Sequence, residues 1–243
     1  MKAMILAAGL GTRLRPLTDT LPKALMDING MTMLEVAIRR LIKAGFNEVI
    51  INTHYFADKI EKFLKDKDNF GIRIEISYEE ELLDTGGGLK KAAWFFDDNK
   101  PFALYNADIY CDMDLKVMYE EHVQRDSLVT LAVKERESGS YLLFDNDLIL
   151  KGLLSSKRKT DFEGNAANLT KLAFSGIHII SPKFFLEMKE DGVFSIIEPY
   201  LRLARQGAKI KGFRMDGAFW RDMGSLKKLE ELRKYIGING IKI

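Results

Sequence analysis

The fold of this chain is decided by one stretch near its start, Met4-Ile5-Leu6-Ala7-Ala8-Gly9-Leu10-Gly11-Thr12-Arg13-Leu14-Arg15-Pro16-Leu17-Thr18, followed by Pro22-Lys23. An apolar run of strand length ends at a pair of glycines, and a basic loop follows. Because glycine has no Cβ, Gly9 and Gly11 can take positive φ and turn backbone N–H groups toward an anion. Arg13 and Lys23 add positive side chains. We therefore expect this loop to hold a polyphosphate.

Two better-known glycine loops do not fit this stretch. The dinucleotide-binding fingerprint requires a third glycine where Leu14 stands. The phosphate loop of ATPases requires Gly-Lys-Ser/Thr, which the stretch lacks.

Composition limits the classes of partner. The 243 residues include 37 Lys and Arg against 35 Asp and Glu, a net charge of +2, so no global field attracts nucleic acid or a membrane surface. No apolar run approaches the ~20 residues of a membrane span. Cys111 is the sole cysteine, which excludes an internal disulfide and a cysteine-based zinc site. We expect a cytoplasmic protein that binds neither nucleic acid nor a membrane.

Helical and strand patterns alternate through the first half of the chain. Thr32 and Glu35 form a capping box that predicts a helix to about Ala44, and the β-branched run within Glu48–Thr53 predicts a buried strand. Repetition of this pattern, with a further predicted helix from Gly87 to Phe96, predicts an α/β fold with a doubly wound, mostly parallel sheet. Because ligands of such sheets bind beyond the carboxyl ends of the strands, the loops after residues 7, 53 and 105 should converge.

The alternation of helical and strand patterns ends at Ser127. Three strand-like runs separated by turns predict a small antiparallel flap over residues 127–171, including a polar, mobile loop at 155–170. No linker composition interrupts the chain, so we expect a single domain over residues 1–243. The three histidines lack metal-ligand spacing and are interpreted as structural or exposed groups.

The opening stretch resembles the signature of the sugar-1-phosphate nucleotidyltransferases, Ala-Ala-Gly-x-Gly-Thr-Arg-x-x-Pro-x-Thr followed by Pro-Lys. The resemblance implies a Rossmann-like nucleotidyltransferase fold and substrates that are a nucleoside triphosphate and a sugar 1-phosphate. It also implies nucleotide contacts from the residues that match the signature, namely Ala8, Gly9, Gly11, Thr12, Arg13 and Lys23.

Two aspartates are the candidate metal ligands. Asp108 follows the predicted strand Phe102–Tyr105, and Asp222 lies in a Trp-Arg-Asp-Met-Gly element. In the family, an Asp after a central strand and an Asp in Trp-x-Asp-x-Gly bind the metal. The resemblance therefore implies Mg²⁺ on Asp108 and Asp222, with Arg13, Lys23 and Asp108 as catalytic residues. Asp112-Met113-Asp114 has the Asp-x-Asp spelling of metal-dependent glycosyltransferases, but Asp114 is better placed as a helix cap.

A glycine-rich segment, Leu83-Asp84-Thr85-Gly86-Gly87-Gly88, resembles the family's segment near base and sugar, with Asp84 where most members have glycine. The resemblance implies nucleotide contacts from Thr85 and Gly86. It is strongest to the short N-acetylmuramate-1-phosphate uridylyltransferases, and this likeness implies sugar contacts at Asn106, Ser140 and Phe174. Three lysines remain open as partners of the sugar phosphate: Lys157, Lys159 and Lys171.

The activity implied is transfer of UMP from UTP to a sugar 1-phosphate, with N-acetylmuramate 1-phosphate as the first candidate, giving a UDP-sugar and pyrophosphate. Three alternatives remain. The same reaction could use GTP with mannose 1-phosphate, or UTP or dTTP with glucose 1-phosphate. The chain could be a non-catalytic, nucleotide-sensing subunit, or a glycosyltransferase using Asp112 and Asp114. We expect a monomer or a small homo-oligomer.

Overall fold

A computed structural model describes residues 1–156, 161–162 and 168–243. The chain forms two compact units. The first unit consists of residues 1–83, 104–116 and 218–243, and the second unit of residues 84–103 and 117–217. The prediction that residues 1–243 form a single domain stays a prediction. Within the described residues, no helix combines the length and the apolar character needed to cross a membrane.

The first unit is built on a sheet in which three strands are mostly buried and the edge strand, Arg73–Tyr78, is mostly half-buried or exposed. Strand β2 (Glu48–Thr53) lies between β1 (Lys2–Leu6) and β3 (Arg73–Tyr78) and is parallel to both. Asn52 in β2 is opposite Leu6 in β1 and Ser77 in β3. Strand β4 lies beside β1. The four strands are β1 (Lys2–Leu6), β2 (Glu48–Thr53), β3 (Arg73–Tyr78) and β4 (Phe102–Asn106).

Local sequence sets the helices of this unit. Helix α1 (Met33–Lys43) begins where the Thr32 hydroxyl accepts the Glu35 N–H at 3.1 Å, as the capping box predicts. Gly45 follows it with φ 92°, a conformation that favours glycine. Helix α2 (Ala57–Asp66) connects β2 to β3. These alternating elements confirm the predicted start of a doubly wound sheet.

A small antiparallel pair completes the first unit. Strand β5 (Ile109–Cys111) follows β4 after a two-residue turn, and β12 (Trp220–Asp222) returns from late in the chain to pair with it. The final helix, α7 (Leu226–Asn239), begins at Ser225, whose hydroxyl accepts the Lys228 N–H at 3.4 Å.

The second unit has a mixed sheet. Strand β6 (Val129–Lys134) lies between β10 (Thr170–Ile180), which is antiparallel to it, and β11 (Ile210–Arg214), which is parallel to it. Strands β7, β8 and β9 extend from β10 in antiparallel order. The six strands are β6 (Val129–Lys134), β7 (Ser140–Phe144), β8 (Leu150–Ser155), β9 (Asp161–Phe162), β10 (Thr170–Ile180) and β11 (Ile210–Arg214). The remaining helices are α3 (Asp84–Lys91), α4 (Leu115–Gln124), α5 (Lys183–Glu187) and α6 (Ile197–Arg205).

The fold class is confirmed, with two local corrections. The predicted flap, residues 127–171, began too early, because β6 pairs in parallel with β11 and only the later strands form the antiparallel extension. The helix predicted from Gly87 to Phe96 instead begins at Asp84 and ends at Lys91, followed by a 3-10 turn. Of the predicted mobile loop, residues 157–160 and 163–167 lie outside the described residues.

Candidate functional site

The glycine-rich loop leaves the carboxyl end of β1 and turns at Gly11. Gly11 has φ 64°, and its carbonyl accepts the Leu14 N–H at 2.8 Å and the Thr18 hydroxyl at 2.9 Å. A Cβ at this position would lie 2.9 Å from Thr18 Cγ2 and 3.1 Å from Lys23 Cβ. Both the backbone conformation and the space therefore require glycine at position 11.

Gly9 behaves differently from the expectation that both glycines take positive φ. Its φ is not in the positive range, and a Cβ placed there would meet no atom within 4 Å. The fold of the described residues thus gives no steric reason for glycine at position 9. The open space beside the backbone is a feature that a close-lying ligand would use.

Lys23 and Asp108 form an ion pair next to this loop. The Lys23 ammonium contacts Asp108 Oδ2, and the side chains are 14% and 30% exposed respectively. Asp108 lies in the turn between β4 and β5. The Ala107 N–H in the same turn donates to the Leu6 carbonyl at 3.0 Å. The loops after β1 and β4 therefore converge, as the parallel topology predicts.

The antiparallel pair β5 and β12 brings the second aspartate to the first. Asp222 is opposite Ile109 in register, and the Met223 N–H donates to the Asp108 carbonyl at 2.9 Å. Asp108 and Asp222 are thus on adjacent rungs of one small ladder, although they are far apart in sequence. The Lys228 ammonium, from the first turns of α7, contacts Asp222 Oδ2.

Arg13 reaches the same place. A Cβ at Gly224 would overlap Asp222 Oδ1 and lie 3.5 Å from Arg13 Nη2. The absence of a side chain at 224 therefore leaves the carboxylate oxygen and the guanidinium room beside each other. Arg13 itself is exposed. The first unit thus brings together four predicted residues of opposite charge, namely Arg13, Lys23, Asp108 and Asp222.

The carboxylate pair is suited to Mg²⁺, which takes oxygen ligands and is usually held by one or two carboxylates together with phosphate oxygens and water. Glycine at 224 keeps the space beside Asp222 Oδ1 free of a side chain. Within residues 1–156, 161–162 and 168–243, no group of three or more His, Cys, Asp or Glu side chains has metal-binding geometry. Two carboxylates are as many protein ligands as Mg²⁺ usually takes when phosphate oxygens and water complete its coordination.

Asn106, the last residue of β4, has an unsatisfied acceptor. Its Oδ1 is buried and accepts no hydrogen bond in the described structure. Buried polar atoms of this kind are uncommon in folded proteins. A hydroxyl or amide donor from a ligand would satisfy it.

Thr85 and Gly86 make structural contacts within the second unit. The Thr85 hydroxyl accepts the Ile196 N–H at 3.0 Å, and the Gly86 N–H donates to the Phe194 carbonyl at 2.9 Å. A Cβ at Gly86 would overlap the Phe194 ring. Asp84 has φ 56°, a backbone conformation that glycine adopts without strain.

The other predicted sugar contacts are also in the second unit. The Ser140 hydroxyl is 2.7 Å from the Ser155 hydroxyl, and the Phe174 carbonyl accepts Arg136 Nη2 at 2.8 Å. Of the three candidate lysines, Lys171 is exposed on β10, whereas Lys157 and Lys159 lie outside the described residues.

Asp112 and Asp114, the two aspartates of the Asp-x-Asp sequence, make structural contacts. Asp112 accepts the Phe219 N–H at 2.7 Å and the Lys242 ammonium at 2.9 Å. Asp114 accepts the Lys116 N–H at 2.9 Å and thereby caps α4, as predicted. Both carboxylates thus take part in contacts within the fold.

Two histidines are buried and hydrogen-bonded to hydroxyls. His178 Nδ1 is 2.9 Å from the Tyr200 hydroxyl, and His122 Nδ1 is 2.9 Å from the Thr130 hydroxyl. Burial lowers the pKa of His178 to about 3 and the pKa of His122 to about 4. Both are structural groups, which confirms the prediction made for them.

Three residues around this site were missed by the sequence prediction. Lys228 follows Asp222 by six positions, at the start of a helix, where a lysine in Ser-Leu-Lys-Lys is indistinguishable from a solvated charge. Asn52 lies within the strand Glu48–Thr53, and Glu79 directly follows β3. Their side chains are buried, with 3% and 1% of the residue surface exposed. A polar residue within a buried strand was the available signal, because such groups require a partner.

The model of the nucleotidyl transferase family matches residues 2–237. The chain is 32% identical to the N-acetylmuramate alpha-1-phosphate uridylyltransferase of Neisseria meningitidis serogroup B, over 98% of this chain and 99% of that protein. It is 31% identical to the mannose-1-phosphate guanylyltransferase catalytic subunit beta of Xenopus tropicalis, over 93% of this chain and 62% of that protein.

Solved structures share the fold. HddC from Yersinia pseudotuberculosis, complexed with GMP-PN, matches with a TM-score of 0.78 and 25% identity, over 97% of this chain and 99% of that chain. A putative glucose-1-phosphate thymidylyltransferase from Bacillus anthracis matches with a TM-score of 0.83 over 100% of this chain and 96% of that chain. At 18% identity, this second likeness concerns the fold alone.

Proposed function

Because this chain belongs to the nucleotidyl transferase family, we propose that it transfers UMP from UTP to N-acetylmuramate 1-phosphate and releases pyrophosphate. The observation that carries this proposal is the identity of 32% with an N-acetylmuramate alpha-1-phosphate uridylyltransferase over nearly the whole of both chains. The grouping of Arg13, Lys23, Asp108 and Asp222 supports the chemistry, since it provides cations for phosphates and carboxylates for a metal.

The reaction exchanges one phosphoanhydride bond for another. An oxygen of the sugar phosphate attacks the α-phosphorus of UTP, and the bond from that phosphorus to the oxygen bridging the β-phosphorus breaks. Pyrophosphate leaves with the electron pair. The nucleophile is already an anion, so the reaction requires no general base. Positioning of the two anions and stabilisation of charge are the tasks left to the protein.

Arg13 and Lys23 perform the electrostatic part. Lys23 is held by its ion pair with Asp108, and the Arg13 guanidinium lies near Asp222 Oδ1 beside Gly224, so both charges are close to the carboxylates before the substrates arrive. Lys23 exchanges its contact with Asp108 for a phosphate oxygen, and Arg13 stabilises charge on the α-phosphate and the departing pyrophosphate. Asp108 and Asp222 would hold Mg²⁺, which supplies neutralisation of the phosphate charge when bound.

The remaining assignments concern recognition. The backbone of Ala8, Gly9 and Gly11 and the residue Thr12 bind the triphosphate together with Arg13 and Lys23. On the second unit, Thr85 and Gly86 are assigned to contacts with the nucleotide. Asn106 offers its unsatisfied Oδ1 to a sugar hydroxyl. Ser140 and Phe174 contact the sugar on the second unit. We place the reaction in the cytoplasm, catalysed by a monomer or a small homo-oligomer.

A substrate matrix tests the proposal. Purified protein with Mg²⁺ is incubated with UTP, GTP or dTTP and with N-acetylmuramate 1-phosphate, mannose 1-phosphate or glucose 1-phosphate, and pyrophosphate release is followed with identification of the product by mass spectrometry. We expect the highest kcat/KM for UTP with N-acetylmuramate 1-phosphate. Absence of turnover with that pair, in a protein active on another pair, would overturn the assignment.

A second candidate is transfer of GMP to mannose 1-phosphate. The 31% identity with a mannose-1-phosphate guanylyltransferase favours it, although the chain spans 62% of that relative's length. The same matrix separates the two activities. Tight binding of a nucleoside triphosphate without turnover of any pair would instead indicate a nucleotide-sensing subunit.

A further inference from the structure

A buried polar relay joins the start of the glycine-rich loop to the loop after β3. The Ala7 N–H donates to Asn52 Oδ1 at 2.7 Å, and Asn52 Nδ2 donates to Glu79 Oε1 at 2.7 Å. The other carboxylate oxygen of Glu79, Oε2, accepts the Leu83 N–H at 3.1 Å. The relay therefore runs Ala7, Asn52, Glu79, Leu83 and lies wholly within the first unit.

The direction of every bond in the relay is fixed by its two ends. Backbone N–H groups only donate, so the ends at Ala7 and Leu83 require acceptors. The Ala7 end turns the Asn52 carbonyl oxygen toward itself, which leaves the amide nitrogen facing Glu79. Glu79 then accepts at both oxygens, a role that a carboxylate fills and a carboxamide does not.

The backbone of Glu79 is fixed as well. Its N–H donates to the Thr53 carbonyl at 2.7 Å, and its carbonyl is 2.8 Å from His54 Nδ1. With Glu79 1% exposed and Asn52 3% exposed, water does not replace these partners at low cost. The two side chains are consequently held in one arrangement from both sides.

The ends of the relay are next to segments with a proposed role in nucleotide binding. Ala7 directly precedes Ala8 and the glycine-rich loop, and Leu83 directly precedes Asp84 and Thr85. We propose that Asn52 and Glu79 are positioning residues that set the placement of the glycine-rich loop for the triphosphate. Their effect on catalysis rests on the proposed function, whereas the relay itself is tested by local exchange without any substrate.

Two conservative variants break the relay and their combination restores it. In Glu79→Gln, one carboxamide faces two donors, so either Asn52 Nδ2 or the Leu83 N–H loses its acceptor. In Asn52→Asp, two carboxylate oxygens face each other without a proton between them. In the double variant, the carboxylate introduced at position 52 accepts from the Ala7 N–H and from the amide nitrogen introduced at position 79. The amide oxygen at position 79 then accepts from the Leu83 N–H, so every bond of the relay is present again.

The experiment is a double-mutant cycle in the full chain, with Ser77→Ala as the matched control. Ser77 is 5% exposed and opposite Asn52 in the sheet, and its hydroxyl forms none of the hydrogen bonds of the relay, so its replacement perturbs the same buried region without removing a relay bond. Hydrogen–deuterium exchange is measured over residues 7–12 and 80–83, and the dissociation constant and KM for UTP are measured with kcat.

We expect each single variant to exchange faster in at least one of the two segments and to weaken UTP binding about tenfold, because a buried polar group is left unpaired. The effect should fall on KM more than on kcat. The double variant should regain the slow exchange and bind UTP more tightly than either single variant, while Ser77→Ala behaves as the unmodified chain.

Additive damage in the double variant, or exchange that is unchanged in both segments of both single variants, would overturn the relay. A protein that binds no nucleoside triphosphate but shows the expected exchange pattern would refute the proposed function and retain the relay. The two failures are therefore distinguishable.

Discussion

The carbonyl of Asp108 accepts the backbone N–H of Met223 at 2.9 Å, and this bond places Asp108 next to Asp222 across a two-stranded ladder. The backbone thus brings these two residues together, although they are far apart in sequence. A metal bound between them would meet ligands that are already positioned, which lowers the entropic cost of binding.

Asp222→Asn should therefore abolish most metal-dependent turnover without unfolding the chain. We expect a loss of about 10²-fold or more in kcat/KM, because an amide binds Mg²⁺ more weakly than a carboxylate and leaves phosphate charge uncompensated. Pyrophosphate release at several Mg²⁺ concentrations is the measurement. Asp114→Asn is the matched control, since asparagine also caps a helix. A large loss in the control with an active Asp222→Asn would favour a glycosyltransferase-type metal site.

Arg13→Ala should reduce kcat/KM by about 10²-fold, because the guanidinium next to Asp222 is lost from the charge that faces the phosphates. The control is Arg15→Ala, which removes an exposed arginine two residues away whose carboxylate partner, Asp19, is 3.1 Å distant. Initial rates with saturating UTP and with limiting UTP separate binding from turnover. Equal rates for Arg13→Ala and Arg15→Ala would remove Arg13 from the mechanism.

Lys228→Ala should strengthen metal binding at Asp222. The Lys228 ammonium contacts Asp222 Oδ2 and therefore competes with a cation for that carboxylate. We expect the dissociation constant for Mn²⁺, measured by electron paramagnetic resonance with Mn²⁺ as the probe, to fall severalfold. Lys227→Ala, one residue away on the exposed side of the helix, should leave the constant unchanged. Weaker Mn²⁺ binding in Lys228→Ala would show that the lysine supports the site instead.

Sequence patterns predicted the parts of this structure that local chemistry determines. Thr32 and Glu35 marked the start of α1, and the β-branched run marked β2, because capping and burial act over a few residues. The convergence of the loops after β1 and β4 followed from parallel topology. These features required no knowledge of distant contacts.

Long-range contacts account for what the sequence did not predict. Strand β6 belongs to the mixed sheet because it pairs in parallel with β11, which lies about 80 residues later in the sequence. The start of α3 at Asp84 depends on the fit of Gly86 against Phe194, over 100 residues away. The contacts of Lys228 and Glu79 likewise depend on tertiary neighbours. Charged residues of this kind are most often solvated, so their type alone does not indicate these contacts.

Substitution by alanine should lower the thermal stability of the chain at Gly11 and leave it unchanged at Gly9. Gly11→Ala adds a side chain at φ 64° and against Thr18, so the midpoint of thermal unfolding should fall by several degrees. Gly9→Ala meets no atom within 4 Å, so the midpoint should stay within about 1 °C of the unmodified chain. If a phosphate approaches the backbone there, Gly9→Ala nevertheless weakens UTP binding, as measured by calorimetry. Full UTP affinity in Gly9→Ala would exclude a close approach at residue 9.

Acidification should destabilise the chain through its buried histidines. Burial lowers the pKa of His178 to about 3, whereas an unfolded histidine has a pKa of about 6.5. Between these values the unfolded state binds the extra proton, so stability present above pH 6.5 is lost as the pH falls toward 3. At pH 5 the loss is roughly 2 kcal/mol for His178 by this linkage.

Urea unfolding at pH 7 and at pH 5 measures this loss. The unmodified chain should have a lower free energy of unfolding at pH 5 than at pH 7. In His178→Gln the decrease in the free energy of unfolding should be smaller, because glutamine does not titrate. The Tyr200 hydroxyl, 2.9 Å from His178 Nδ1, keeps a hydrogen-bonding partner of similar reach in this variant. An unchanged pH difference in His178→Gln would mean that His178 is protonated to the same extent in the folded and unfolded chains, contrary to its burial at 1% exposure.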